Sequence, residues 1–64
     1  MNAYIKGCIV KAMVSVQGLE EGSTYEVKNA NPFLDHMSYL LENCATGDLH
    51  EVRIAYPHIL QEVA

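Results

Sequence analysis

The ten residues Gly18-Leu19-Glu20-Glu21-Gly22-Ser23-Thr24-Tyr25-Glu26-Val27 constrain the fold of this chain more than any other stretch. Two glycines bracket an acidic pair, and glycine accepts the positive φ that a chain reversal demands. The run after them places Tyr25 and Val27 on one face and Thr24, Glu26 and Lys28 on the other, the two-residue period of a half-buried strand. Upstream, Cys8, Val10, Ala12, Val14 and Val16 alternate with Ile9, Lys11, Met13 and Ser15. A first strand is therefore expected over residues 8–16, with its small apolar set in the core and Gly7 as a bend or bulge. Glu20 and Glu21 keep the tip of the turn in water, and that tip is expected to be the least constrained part of the fold.

Asn29-Ala30-Asn31-Pro32 is expected to end the second strand, because Pro32 brings no N–H to a ladder. Two readings are open for the segment after Pro32. Phe33, Met37, Leu40, Leu41 and Cys44 fall at helical spacing, with Asn31-Pro32 as cap and first residue, which predicts a helix over residues 32–43. The same segment also reads as a strand, Ser38 to Cys44. It is joined through Ala45-Thr46-Gly47-Asp48 to a second strand, Leu49 to Ile54, with Gly47 at the left-handed position of the turn. In that hairpin Val52 and Ile54 point one way and Glu51 and Arg53 the other. The hairpin is the reading adopted; the helix, in a ββαβ chain of α+β class, is its alternative. Pro57 interrupts Ala55-Tyr56-Pro57-His58-Ile59, which suits a short 3₁₀ turn before a closing strand over residues 60–63.

Sixty-four residues make at most one domain, and a chain of this size buries only roughly 60% of its unfolded surface. A groove, a flat face or a strand edge is thus a more natural working surface than a deep cavity. Half the residues are hydrophobic and 19% are charged, which fits a packed domain and not a disordered one. The net charge of −4, with Lys6, Lys11, Lys28 and Arg53 scattered, disfavours nucleic acid, whose partners present a concentrated basic footprint. Residues 1–7 lack the pattern of a secretory signal, and no apolar run approaches the ~20 residues of a membrane span. A cytoplasmic location is expected, with Cys8 and Cys44 as thiols.

The order of elements resembles the five-stranded SH3-like small β-barrel. Gly18-Leu-Glu-Glu-Gly-Ser-Thr-Tyr-Glu-Val27 looks like the entry of small barrels in bacterial and phage-encoded proteins. Tyr39 to Glu42 with Thr46 to Val52 is similar to their distal hairpin. The resemblance covers about residues 8–63 and implies an all-β fold. It does not extend to the peptide-binding SH3 domains. Their Ala-Leu-Tyr-Asp-Tyr run, groove tryptophan and Pro-x-x-Tyr turn have no counterpart here, and the chain contains no tryptophan. Polyproline, which docks on stacked aromatics, is therefore not the expected ligand.

The titratable residues that invite a chemical reading are Cys8, His36, Cys44, His50 and His58. Zinc ligands usually come in close pairs such as Cys-x-x-Cys, and the nearest pair here is Cys44 with His50. A buried Cys8 packed as a small hydrophobe and three surface histidines is the simpler reading. Cys44 and His50 as nucleophile and base lack an orienting third residue and an oxyanion donor. No catalytic role, cofactor or metal is expected. The aromatic residues beyond Tyr25 matter more, since exposed ones form patches of the kind enriched at protein interfaces. Glu20, Glu21, Phe33, Tyr39 and Tyr56 are the candidate partner surface. The expected function is a non-enzymatic protein-interaction module of phage or mobile-element type, binding a host or viral protein or a second copy of itself. A small-molecule or metal-binding regulator using the His/Cys set is the alternative.

Overall fold

The structure, a computed structural model, describes residues 4–55 and 59–63. It is all-β: five antiparallel strands, β1 (Ile9–Ala12), β2 (Thr24–Pro32), β3 (Met37–Asn43), β4 (Leu49–Ile54) and β5 (Leu60–Glu62). They form one sheet in the order β4-β3-β2-β1-β5, so the last strand returns beside the first. Among the described residues there is no α-helix. The segment whose spacing also fits a helix carries β3, which pairs with β2 from Tyr25↔Asn43 to Pro32↔Met37 and with β4 from Met37↔Ile54 to Glu42↔Leu49. Two ladders satisfy the backbone of this interior strand on both sides, and as a strand the segment supplies the pairing partner that both β2 and β4 need.

The core is built from the alternating positions the sequence marks. Val10 and Ala12 of β1, Tyr25 and Val27 of β2, Leu41 of β3 and Val52 of β4 are at most 1% exposed. The first strand is shorter than its alternation predicts. It ends at Ala12, whose N–H donates to Ser23 and whose carbonyl accepts from Gly22, closing the pairing with β2. The chain then bends away: Met13 donates to the Ile59 carbonyl beside β5, Val14 is 39% exposed, and Leu19 takes the interior place. The second strand is longer than predicted. A bulge at Lys28 resets the pairing between Val27 and Asn29, and the strand continues through Pro32. Proline is tolerated there because β1 pairs β2 only over Thr24–Glu26, so the missing N–H falls on a side with no strand.

The β3–β4 hairpin adopts its predicted turn. Gly47 has φ of 79° and donates to the Asn43 carbonyl, while the Asn43 side chain accepts from Ala45 and Thr46. Of the 3₁₀ turn expected within residues 55–59, Ile59 has 3₁₀ conformation directly before β5, and Tyr56, Pro57 and His58 lie outside the described residues. The sheet is not closed into a barrel: β4 and β5 are its two edges and do not pair. Side chains cap both edges instead. The Tyr4 hydroxyl donates to the Leu60 carbonyl at 2.9 Å on the β5 side, and the Gln17 amide pairs with the Arg53 backbone on the β4 side.

Candidate interaction surface

Two large exposed apolar residues, Phe33 and Leu34, sit side by side at the tip of the β2–β3 hairpin. Phe33, Leu34, Asp35 and His36 make the reversal, which the Phe33 N–H closes on the His36 carbonyl at 2.9 Å. The Phe33 and His36 rings stack at 4.9 Å and 9° between planes, and Nδ1 of His36 lies 2.8 Å from the Asp35 carboxylate. That contact holds the Asp35 carboxyl below its ordinary range, with the backbone N–H of Asp35 adding to the effect. Phe33 is 57% exposed and Leu34 fully so. Sequence pattern singles out Phe33 but not Leu34, whose role depends on the loop lifting it clear of the sheet.

The acidic turn presents its side chains but is not loose. Glu20 and Glu21 are exposed, yet the Glu20 N–H donates to the Tyr25 hydroxyl at 2.9 Å and the Glu21 N–H to the Ser15 hydroxyl at 3.0 Å. Leu19, buried beneath them, anchors the same turn. The expectation of a least-constrained tip is therefore corrected. Its backbone is tied to a core tyrosine, and only its carboxylates are free to meet a partner.

Tyr39 is a second correction. It is 2% exposed, because β3 is the central member of the β2–β3–β4 ladders and Tyr39 points to the core face. Its hydroxyl accepts the Tyr4 N–H at 3.1 Å and its ring lies 5.9 Å from that of Tyr4. It therefore offers no surface to a partner. Tyr56, the remaining residue of the predicted surface, lies outside the described residues.

The thiols and imidazoles are dispersed. The Cys8 thiol is buried against Glu62, 3.1 Å from Oε2. Burial, and then the hydrogen bond to that carboxylate, raise its pKa above the ordinary thiol value. Tyr4, close by, is raised by burial and by Tyr39, Cys8 and Glu62. Cys44 is exposed just beyond β3. His50 packs inward, edge-on to Tyr25 at 5.9 Å, and its Nδ1 lies 3.1 Å from the place a Cβ on Gly18 would occupy. Cys44 and His50 do not hydrogen-bond to each other, His36 belongs to the hairpin tip, and His58 is outside the described residues. Among the described residues, no three His, Cys, Asp or Glu side chains gather as metal ligands would, and no helix is long and apolar enough to cross a membrane. Comparison with family models, with characterised proteins and with solved structures finds no match to the chain.

Proposed function

We propose that this chain is a non-enzymatic protein-interaction module, an accessory protein of phage or mobile-element type that binds a host or viral protein. The observation that carries the reading is the hairpin tip. Phe33 and Leu34 stand exposed on a loop whose backbone is closed by a hydrogen bond and whose phenyl ring is stacked in place. A phenyl ring already held by stacking loses little side-chain entropy on docking, which is the property of an interface anchor, and Leu34 beside it adds exposed apolar area. The exposed carboxylates of Glu20 and Glu21 are a second element of the surface and favour a partner with basic residues.

An SH3-like arrangement of the five strands, left open between β4 and β5, is part of the proposal. The strand order β4-β3-β2-β1-β5 and the bulge that bends β2 support it, with the edges capped by side chains where a closed barrel would have a ladder. A regulator using Cys8, Cys44, His36 and His50 draws no support from their separate surroundings. The test is affinity capture from a bacterial lysate with the parent chain beside Phe33→Ser/Leu34→Ser. One specific protein retained by the parent and lost by the double variant is the expected result. Failure to retain a specific protein, or equal retention by both, overturns the proposal.

A further inference from the structure

The β4 edge is occupied by a side chain that imitates a strand. The Arg53 N–H donates to Gln17 Oε1 and Gln17 Nε2 donates to the Arg53 carbonyl, each at 2.8 Å. These are the two bonds that one residue exchanges with its neighbour in an antiparallel ladder. Gln17 is exposed and has a φ of 52°, the one non-glycine residue with positive φ among those described. Such a backbone conformation persists only where surrounding contacts hold it.

The direction of the other β4 groups is set by the register. The Asn43 N–H donates to the Asp48 carbonyl across the hairpin, so Leu49, Glu51 and Arg53 turn their backbone groups away from β3. At Glu51 no hydrogen bond reaches the outward N–H or carbonyl from the described residues. An open edge of this kind is a template for another strand. Its charges specify which one. If β4 meets β4 of a second copy antiparallel about Val52, Glu51 falls opposite Arg53 of the second copy, and Arg53 opposite its Glu51. Both are hydrogen-bonded positions in that pairing, and the exposed side chains of both lie on the same face. Two reciprocal opposite-charge cross-strand pairs result, the favourable arrangement for directly facing residues. Val52 stays in each core.

We infer that Gln17 is a guard on a self-complementary edge: displacing its amide from Arg53 lets two copies of this chain pair through β4 as a two-fold dimer. Gln17 and the second copy compete for the same two backbone groups of Arg53, so the guarded chain favours the monomer. A contact of one short strand per copy is smaller than a standard stable interface, and the dimer is accordingly weak and concentration-dependent. It uses a different element from the Phe33–Leu34 tip, so the two proposals stand or fall separately.

Sedimentation velocity over a concentration series tests it, with circular dichroism confirming that each variant is folded. Gln17→Ala, and Gln17→Met as a variant of nearly native volume, are expected to lower the dimer dissociation constant at least tenfold relative to the parent. Adding Glu51→Arg to Gln17→Ala places like charges opposite each other and is expected to raise it again at least fivefold. Adding Arg53→Glu as well restores both pairs and the dimer. The Arg53 amide is expected to exchange faster in dilute Gln17→Ala and to regain protection on concentration. Phe33→Ser/Leu34→Ser in the Gln17→Ala background leaves the dimer unchanged. The inference is overturned if both Gln17 variants associate no more than the parent, or if their dimer is indifferent to the charge changes at Glu51 and Arg53.

Discussion

The Tyr25 hydroxyl, at the head of β2 and rooted in the core, accepts the backbone N–H of Glu20 at 2.9 Å. One side chain thus fills the interior and holds the acidic turn in place. The ring does the first and the phenolic oxygen the second, so the two contributions separate by substitution. Tyr25→Phe keeps the packing and removes the acceptor. It is expected to cost about 1 kcal/mol in urea unfolding, with faster exchange of the Glu20 amide. An unchanged midpoint and unchanged exchange would show that water replaces the hydroxyl without loss.

Gly18 and Gly22 give a paired test of the turn. Their φ values are 88° and 89°, a conformation that costs an L side chain about 1–2 kcal/mol. A Cβ on Gly22 meets nothing within 4 Å, whereas one on Gly18 meets His50 Nδ1 at 3.1 Å. Gly18→Ala is expected to destabilise more than Gly22→Ala. His50→Ala in the Gly18→Ala background should recover the difference, apart from what the loss of the imidazole itself costs. Equal effects at the two glycines would place His50 elsewhere.

The two thiols differ in reactivity and in their effect on stability. Cys44 is exposed and Cys8 is buried with a raised pKa. A disulfide reagent at neutral pH is expected to label Cys44 quickly and Cys8 only as the chain opens. The folded chain keeps the Cys8 proton at a pH where the unfolded chain has lost it. The folded state then binds more protons, so the Cys8 contribution is fully present below the ordinary thiol range and fades as pH rises through it. Tyr4 adds a similar loss at higher pH. Cys8→Ala is expected to flatten the first part of that alkaline decline in melting temperature, and an unaltered pH profile would contradict the assignment.

Leu41 and Arg53 mark the contrast between the core and the β4 edge. Leu41 is wholly buried in the interior strand β3, and Leu41→Ala is expected to cost about 2–5 kcal/mol. A domain this small rarely has more than ~3–5 kcal/mol in total, so that variant is expected to be largely unfolded at room temperature. Arg53 is exposed and meets Gln17 through its backbone, so Arg53→Ala is expected to stay within about 0.5 kcal/mol of the parent. A large loss at Arg53 would mean that its guanidinium, and not its peptide group, holds the loop.

Alternation made the inward positions of the strands legible, although it ran on to Val16, past the end of β1 at Ala12. Tyr25 and Val27, Val52 and Ile54, Val10 and Ala12 are all inward, as the period of two requires, and the reversals at Gly18, Gly22 and Gly47 all have positive φ. These are local properties, set by the pleat and by backbone sterics within a few residues. The choice of strand over helix for Met37–Asn43 was not local, because the same apolar residues satisfy both spacings. It was decided by ladders on either side of β3. Nor did alternation show that Leu19 and not Val14 completes the core, that Tyr39 is buried, or that β2 passes through Pro32. Each depends on which element arrives from elsewhere in the chain. The capped edges are the clearest case: Gln17 and Arg53 are 36 positions apart and Tyr4 and Leu60 are 56 apart, and nothing in either neighbourhood announces the other. The segment Gly18 to Val27 announced a reversal between two strands. Only the folded chain shows that reversal tied to Tyr25, packed under His50 and linked through Gln17 to an edge it helps to close. Local sequence sets the conformation of each piece, while burial and backbone hydrogen bonding across the whole chain choose which pieces meet.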